Sequence, residues 1–131
     1  MTGREPRWLR RLVVDEAHFQ QIRAHGGSHG IRDENALEAA LARPRHRWSY
    51  SPGVGLPELA AAYAFGLLMD HPYADGNKRI ALVVLVAFLD LNGVELSATN
   101  AEAFEVVLAL AAGEMTEPDL TDWIEARSRT S

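Results

Sequence analysis

An all-α bundle of about six helices is the fold class predicted by three properties of this 131-residue sequence. Apolar residues recur at helical spacing between polar stops. Residues 59–69 are mostly apolar and residues 80–89 wholly so, as expected of helices buried on every side. Alternation long enough to build a sheet is absent. With 47% hydrophobic residues the chain has enough material for one core, and no internal repeat, low-complexity tract or linker divides residues 1–131, which read as one domain.

The elements follow in order. Asp15 is placed to cap a helix running to about His25, where Gly26 and Gly27 end it. Asp33 caps a second, which carries Leu37, Ala40 and Leu41 on one face. Residues 44–56, with Pro44, Pro52, Gly53 and Gly55, read as a loop, and Pro57 suits the first turn of a third helix. A fourth begins near Gly76 and Asn77 and closes at Asn92 and Gly93. Thr99 and Glu102 form a capping box that opens a fifth, closed by Gly113, and Thr116 and Asp119, with Pro118 in the first turn, open a sixth that ends near Arg127. Residues 11–14 and 93–96 are the two stretches open to an extended conformation.

Chemistry concentrates in His71-Pro72-Tyr73-Ala74-Asp75-Gly76-Asn77-Lys78-Arg79, the polar hinge between the two apolar helices. The start of the second helix is an anion site by construction, because its first amides lack intrahelical acceptors and its dipole is positive there. His71 is the candidate general base, since imidazole titrates near neutrality. Asp75 offers hard oxygen ligands of the kind Mg²⁺ accepts beside phosphates, or else caps the next helix. Gly76 permits close approach of backbone to ligand or a positive φ. Asn77 can donate to a phosphate oxygen or cap the helix, and Lys78 and Arg79 can neutralise phosphate charge. A solvated first turn is a weaker account of those two cations, because an N-terminus disfavours positive charge unless an anion offsets it. Pro72 stops the preceding helix, and the Tyr73 ring can anchor the loop in the core.

Charge is unevenly spread. Residues 1–50 carry nine Arg and Lys against six Asp and Glu, whereas residues 51–131 carry four against twelve, for a net charge of −5. An acidic domain repels the phosphate backbone, which argues against direct DNA binding. Arg4, Arg7, Arg10 and Arg11 read as a frayed basic end. Arg43, Arg45, His46 and Arg47 enter the 44–56 loop. The ten-residue apolar run at 80–89 is too short to span a bilayer, and the absence of cysteine and of a signal peptide predicts a cytoplasmic protein.

The motif HPYADGNKR resembles the signature of the Fic/Doc superfamily, and its Lys78-Arg79 ending resembles the death-on-curing (Doc) toxin branch. The likeness extends upstream to Gly26-Gly27-Ser28-His29-Gly30-Ile31-Arg32-Asp33, to residues 36–44 and to residues 59–66. It implies a toxin that passes the γ-phosphate of ATP, with Mg²⁺, to a threonine of elongation factor Tu and so arrests translation. His71, Asp75, Lys78 and Arg79 are its implied catalytic residues. Gly76, Asn77, Lys78 and Arg79 are implied to bind the nucleotide, and Asp75 the metal. Superfamily members that transfer AMP carry, in the resemblance, a glycine where this chain has Lys78 and a second arginine where it has Leu82. A guanidinium that would hold the terminal phosphate in the AMP-transferring orientation is therefore missing. No phosphate-binding P-loop pattern occurs elsewhere.

The resemblance also implies a Phd-type antitoxin whose disordered tail folds as a helix into a groove near the site. In some Fic proteins an internal inhibitory helix with a Ser/Thr-x-x-x-Glu pattern takes that place. Thr121 and Glu125 match that pattern, which arises cheaply. The 44–56 loop resembles a flap that docks the target. AMP transfer and a non-catalytic nucleotide- or peptide-binding module are the alternative readings. Transition-metal hydrolysis through His71 and Asp75 is weaker, because His18, His25, His29 and His46 form no ligand pattern.

Overall fold

The computed structural model describes residues 4–130 and contains six helices and one two-stranded sheet. In chain order these are α1 (Arg11–His25), α2 (Glu34–Tyr50), α3 (Leu56–Asp70), α4 (Asn77–Leu91), β1 (Val94–Leu96), α5 (Asn100–Ala111), α6 (Glu117–Arg127) and β2 (Ser128–Thr130). The all-α class and the number of helices are as the apolar periodicity predicts.

α3 is the centre. Leu59 to Ala64, Gly66, Leu67 and Leu68 are all buried, so the helix meets solvent mainly near its end at Met69, and α2, α4, α5 and α6 pack around it. Gly66 sets the α2–α3 spacing: a Cβ there would lie 3.3 Å from the Ala40 Cα and 3.4 Å from its Cβ. α4 buries Ile80, Ala81, Val84, Leu85, Phe88 and Leu89 and leaves Leu82, Val83, Val86 and Ala87 half-buried on its other side.

Caps fix most of the boundaries. The Asp33 carboxylate accepts the Ala36 N–H, and Thr99 with Glu102 and Thr116 with Asp119 form reciprocal capping boxes. Gly26 caps α1, and Gly93 follows the Asn92 cap of α4 at φ 78°.

Several local expectations are corrected. Residues 11–14 are helical: α1 starts at Arg11, and Asp15 is not its cap but turns inward to accept bonds from Arg11 Nε (2.9 Å) and the Tyr73 hydroxyl (2.8 Å). The basic N-terminus is not frayed. Arg7 exchanges two hydrogen bonds with the Asn92 side chain, Leu9 N–H donates to the Tyr63 hydroxyl, and Arg11 pairs with Asp15, Glu34 and Glu38.

The loop expected over 44–56 shrinks to residues 51–55, because α2 runs through a buried Pro44. Proline removes the amide that would bond the Ala40 carbonyl, but the helix on both sides of it is held from outside. Arg47 pairs with Glu58 at 2.8 Å and with Glu117 at 3.4 Å, Arg43 pairs with Glu117, and Trp48 packs on the core. The arginine cluster therefore belongs to a helix, and a flap at these residues finds no support. Finally, residues 94–96 do build a small sheet. They pair antiparallel with residues 128–130, in the register Val94 to Thr130, a strand that no alternation announced.

Both cap carboxyls, Glu102 and Asp119, are held below the usual carboxylate range by the backbone N–H of their own threonine. Depressed folded values mean the stabilisation is complete above that range and is lost as pH falls through them. Thr116→Ala is expected to cost about 1 kcal/mol in urea unfolding at neutral pH. Asp119→Ala should lower the urea midpoint at neutral pH, with the difference from the parent closing in acid.

Candidate active site at the start of helix α4

The six residues between α3 and α4 cannot continue either helix. Pro72 stops α3, and His71 caps it in the left-handed region at φ 45°, ψ 56°, the one non-glycine residue with positive φ among the described residues. That conformation costs roughly 1–2 kcal/mol. It is held by Arg32, whose Nε donates to the His71 carbonyl at 2.7 Å and whose Nη2 donates to the Asp70 carbonyl at 2.8 Å. The guanidinium thus caps the negative end of α3.

Residues 26–33 run beside this turn and supply its backbone partners. Arg32 and Asp33 N–H donate to the Pro72 carbonyl, and Ala74 N–H donates to the Gly30 carbonyl. Asn77 completes the turn from the other side: its Oδ1 accepts Tyr73 N–H and its Nδ2 donates to the Tyr73 carbonyl, both at 3.0 Å. The Asn77 side chain is buried and spends its oxygen and one N–H on Tyr73, so it does not cap α4. Its backbone N–H remains at the helix start.

Tyr73 anchors the turn in the core, as the sequence suggests, and is 2% exposed. Burial, then the bond to Asp15, pushes its phenol well above the ordinary tyrosine range, so it stays protonated and donates. Its ring stacks on His18, with centroids 3.7 Å apart and planes 10° from parallel. His18 is itself 3% exposed and approaches the Asp75 carbonyl through Nε2 at 2.7 Å. The Asp75 carboxylate faces α1 and the glycine loop: Oδ2 accepts Ser28 N–H at 2.8 Å, while Oδ1 has no protein donor among the described residues. Asp75 therefore does not cap α4. Gly76 does, at φ 79°, where a Cβ would also sit 3.0 Å from Ile22 Cδ1.

Amides 77–79 precede the first bond of the α4 ladder, Ile80 N–H to the Gly76 carbonyl at 2.9 Å. Lys78 is exposed, and the Arg79 guanidinium lies 4.9 Å over the Phe104 ring. A cavity of about 390 Å³ opens here, and His71, Asp75, Gly76, Asn77, Lys78 and Arg79 all line it. The residues singled out in the motif thus meet in one space. Gln21, Ile22, His25 and Phe104 line it too, and none was foreseen. A helical signal was available: Val14, His18, Ile22 and His25 recur at helical spacing on α1, a face that sets the motif against the core. Neither Thr121 nor Glu125 reaches the cavity, so the pattern on α6 does not act as an inhibitory helix in this arrangement.

The sequence over residues 8–89, which carries α1 to α3, most of α4 and the whole motif, matches the model of the Fic/DOC family. The chain belongs to the Fic/DOC family. It is 30% identical over 105 residues to "Protein kinase doc" of Escherichia phage P1, which covers 80% of this chain and 82% of the relative. It is 40% identical over 76 residues to "Toxin Doc" of Mycolicibacterium smegmatis (strain ATCC 700084 / mc(2)155), covering 57% of this chain and 58% of the relative. Both relatives bear the Doc name, which places the similarity in the Doc branch of Fic/DOC proteins.

Because Asn77 satisfies two buried backbone groups of the Fic/DOC turn, Asn77→Ala should destabilise the fold by roughly 2–6 kcal/mol, each orphaned group costing about 1–3. Lys78→Ala, at an exposed position, should change stability little. Chemical denaturation of the two variants makes the comparison.

Proposed function

We propose that this chain is a Doc-type toxin of a toxin–antitoxin system, with residues 1–131 acting as one Fic/Doc-type domain. In this reading it passes the γ-phosphate of ATP to a protein hydroxyl in the cytoplasm. One observation carries the reading: a single cavity is lined by an imidazole, a carboxylate with one undonated oxygen and the cationic first turn of a buried helix. Phosphoryl transfer asks for little else, being mostly positioning and charge neutralisation. Family membership supports nucleotide use in general, and the P1 relative's name supports transfer of phosphate.

Mg²⁺ fits the donors present. Among the described residues no three His, Asp or Glu side chains gather as a metal cage. A metal at Asp75 Oδ1 would share its sphere with substrate oxygens and water, the arrangement Mg²⁺ favours. When bound, the ion would neutralise phosphate charge. The amides of residues 77–79, Lys78 and Arg79 bind the phosphates at the positive end of α4. His71 takes the proton of the target hydroxyl as that oxygen bonds to the γ-phosphorus and the bond to the β-phosphate oxygen breaks, releasing ADP. Leu82 favours this chemistry over AMP transfer. One turn beyond Arg79 it adds an apolar side chain to the α4 surface, where AMP-transferring members place a second guanidinium.

An antitoxin is the natural regulator of such a toxin, and a seat for a Phd-type helix lies next to the site. Leu82, Val83, Val86 and Ala87 of α4 form the floor of an apolar groove of about 580 Å³ that shares Gln21, His25, Arg79 and Phe104 with the site cavity. A helix laid there would bury apolar anchors and cover the phosphate-binding end. The target we favour is a threonine of elongation factor Tu. Among the described residues no helix is long and apolar enough to cross a membrane.

Intact-protein mass spectrometry of the modified target decides the chemistry. Addition of phosphate with release of ADP is expected, whereas an AMP adduct with release of pyrophosphate would overturn the kinase reading. His71→Ala should lower turnover by roughly 10²–10⁴ while leaving the fold intact. Asp75→Ala and Arg79→Ala should both relieve growth arrest at matched abundance. Val86→Glu should abolish rescue by the antitoxin while toxicity persists, because it charges the groove floor away from the reacting groups.

A further inference from the structure

The geometry points to His18 as a positioning residue for the transfer reaction, the inner arm of a two-point clamp that fixes Asp75 so that one carboxylate oxygen faces the cavity. The inference rests on the nucleotide–metal reading above and assigns a role to a helix α1 residue outside the motif.

The first arm acts on the main chain. A carbonyl oxygen only accepts, so at 2.7 Å from the Asp75 carbonyl the His18 Nε2 must carry the proton and donate. His18 has little freedom to do otherwise. Its ring is 3% exposed, lies flat on Tyr73 at 3.7 Å, and has the Gly76 Cα at its edge, where an added Cβ would come within 3.4 Å of Nε2. Tyr73 is in turn fixed by Asp15 through its hydroxyl and by Asn77 through its backbone. The second arm acts on the side chain. Ser28 N–H takes Oδ2 at 2.8 Å, and Gly27, at φ 111°, lies so close that a Cβ would be 3.2 Å from the Asp75 Cβ. With its carbonyl held from α1 and Oδ2 held from the glycine loop, the carboxylate retains Oδ1 as its one undonated oxygen. A partner that orients a ligand in this way typically contributes 10–100-fold in metal affinity or activity.

Calorimetry on the full chain with a non-hydrolysable ATP analogue, with and without MgCl₂, tests this. In the parent protein Mg²⁺ should tighten analogue binding, and Asp75→Asn should abolish the gain. If Mg²⁺ gives the parent no gain, or Asp75→Asn keeps it, the metal reading itself fails and the clamp with it. Where both controls behave as expected, His18→Phe isolates the donor, since it keeps the stacked ring and removes the N–H. It should cut the Mg²⁺-dependent gain by roughly 10–100-fold, with metal-free affinity moving far less. His18→Gln, which restores an N–H donor, should recover most of the gain. A parent-like gain in folded His18→Phe overturns the inference, as does an equal loss in both His18 variants. Should His18→Phe not fold, Gly27→Ala disturbs Asp75 from the other arm. There too a reduced gain is expected, and an undiminished one overturns the clamp.

Discussion

The six-residue turn between two fully packed helices is the constraint on which this molecule depends. α3 is buried over most of its length and α4 over one whole side, so the chain must reverse where neither helix can lend it hydrogen bonds. Its polar groups are met from elsewhere: Pro72 by Arg32 and Asp33, Tyr73 by Asn77, Ala74 by Gly30 and Asp75 by His18 and Ser28. The same bonds that make the turn stable also fix the positions of its side chains. Structure and chemistry are therefore hard to separate here, and Asn77 illustrates the point. It sits in the middle of the polar motif, yet both hydrogen bonds of its side chain go to the backbone of Tyr73.

Electrostatics follow the same geometry. The chain is net acidic, and its last 81 residues strongly so, yet Lys78 and Arg79 stand together at the positive pole of α4. Two cations at a helix N-terminus are unfavourable in an apo protein. An anion placed there would offset that repulsion. Arg79 is meanwhile held by the face of Phe104, which gives the guanidinium a resting place that involves no carboxylate.

Much of the fold was legible because its signals are local. Capping threonines at 99 and 116, Asp33 and the glycines after α1 and α4 mark boundaries through bonds between near neighbours in sequence. The motif residues lie within nine positions, so their meeting in one cavity needed only a turn. What escaped depends on distant partners. Pro44 reads as a stop, yet α2 continues because Glu58 and Glu117 hold Arg47 beyond it and Glu117 also holds Arg43 just before it. Asp15 reads as a cap, yet its partner is Tyr73, 58 residues away. His18 reads as a stray histidine, since nothing near it in sequence shows that a carbonyl 57 residues on will lie against its ring. β2 is three residues long, and its pairing is set by where α6 ends.

The two ends of the described chain share a location. Residue 7 is bonded to Asn92 at the carboxyl end of α4, and residue 130 pairs with Val94, two positions further on. The turn that carries the candidate site lies at the opposite pole of the same helix, which at 15 residues and about 1.5 Å per residue is about 22 Å away. A short linker from residue 130 back to residue 7 would close the chain into a ring without crossing the cavity. New termini could then be opened in the 51–55 loop, on the same side as the old ones. The topology thus suits circular permutation and terminal fusion at one pole while the candidate site at the other stays clear.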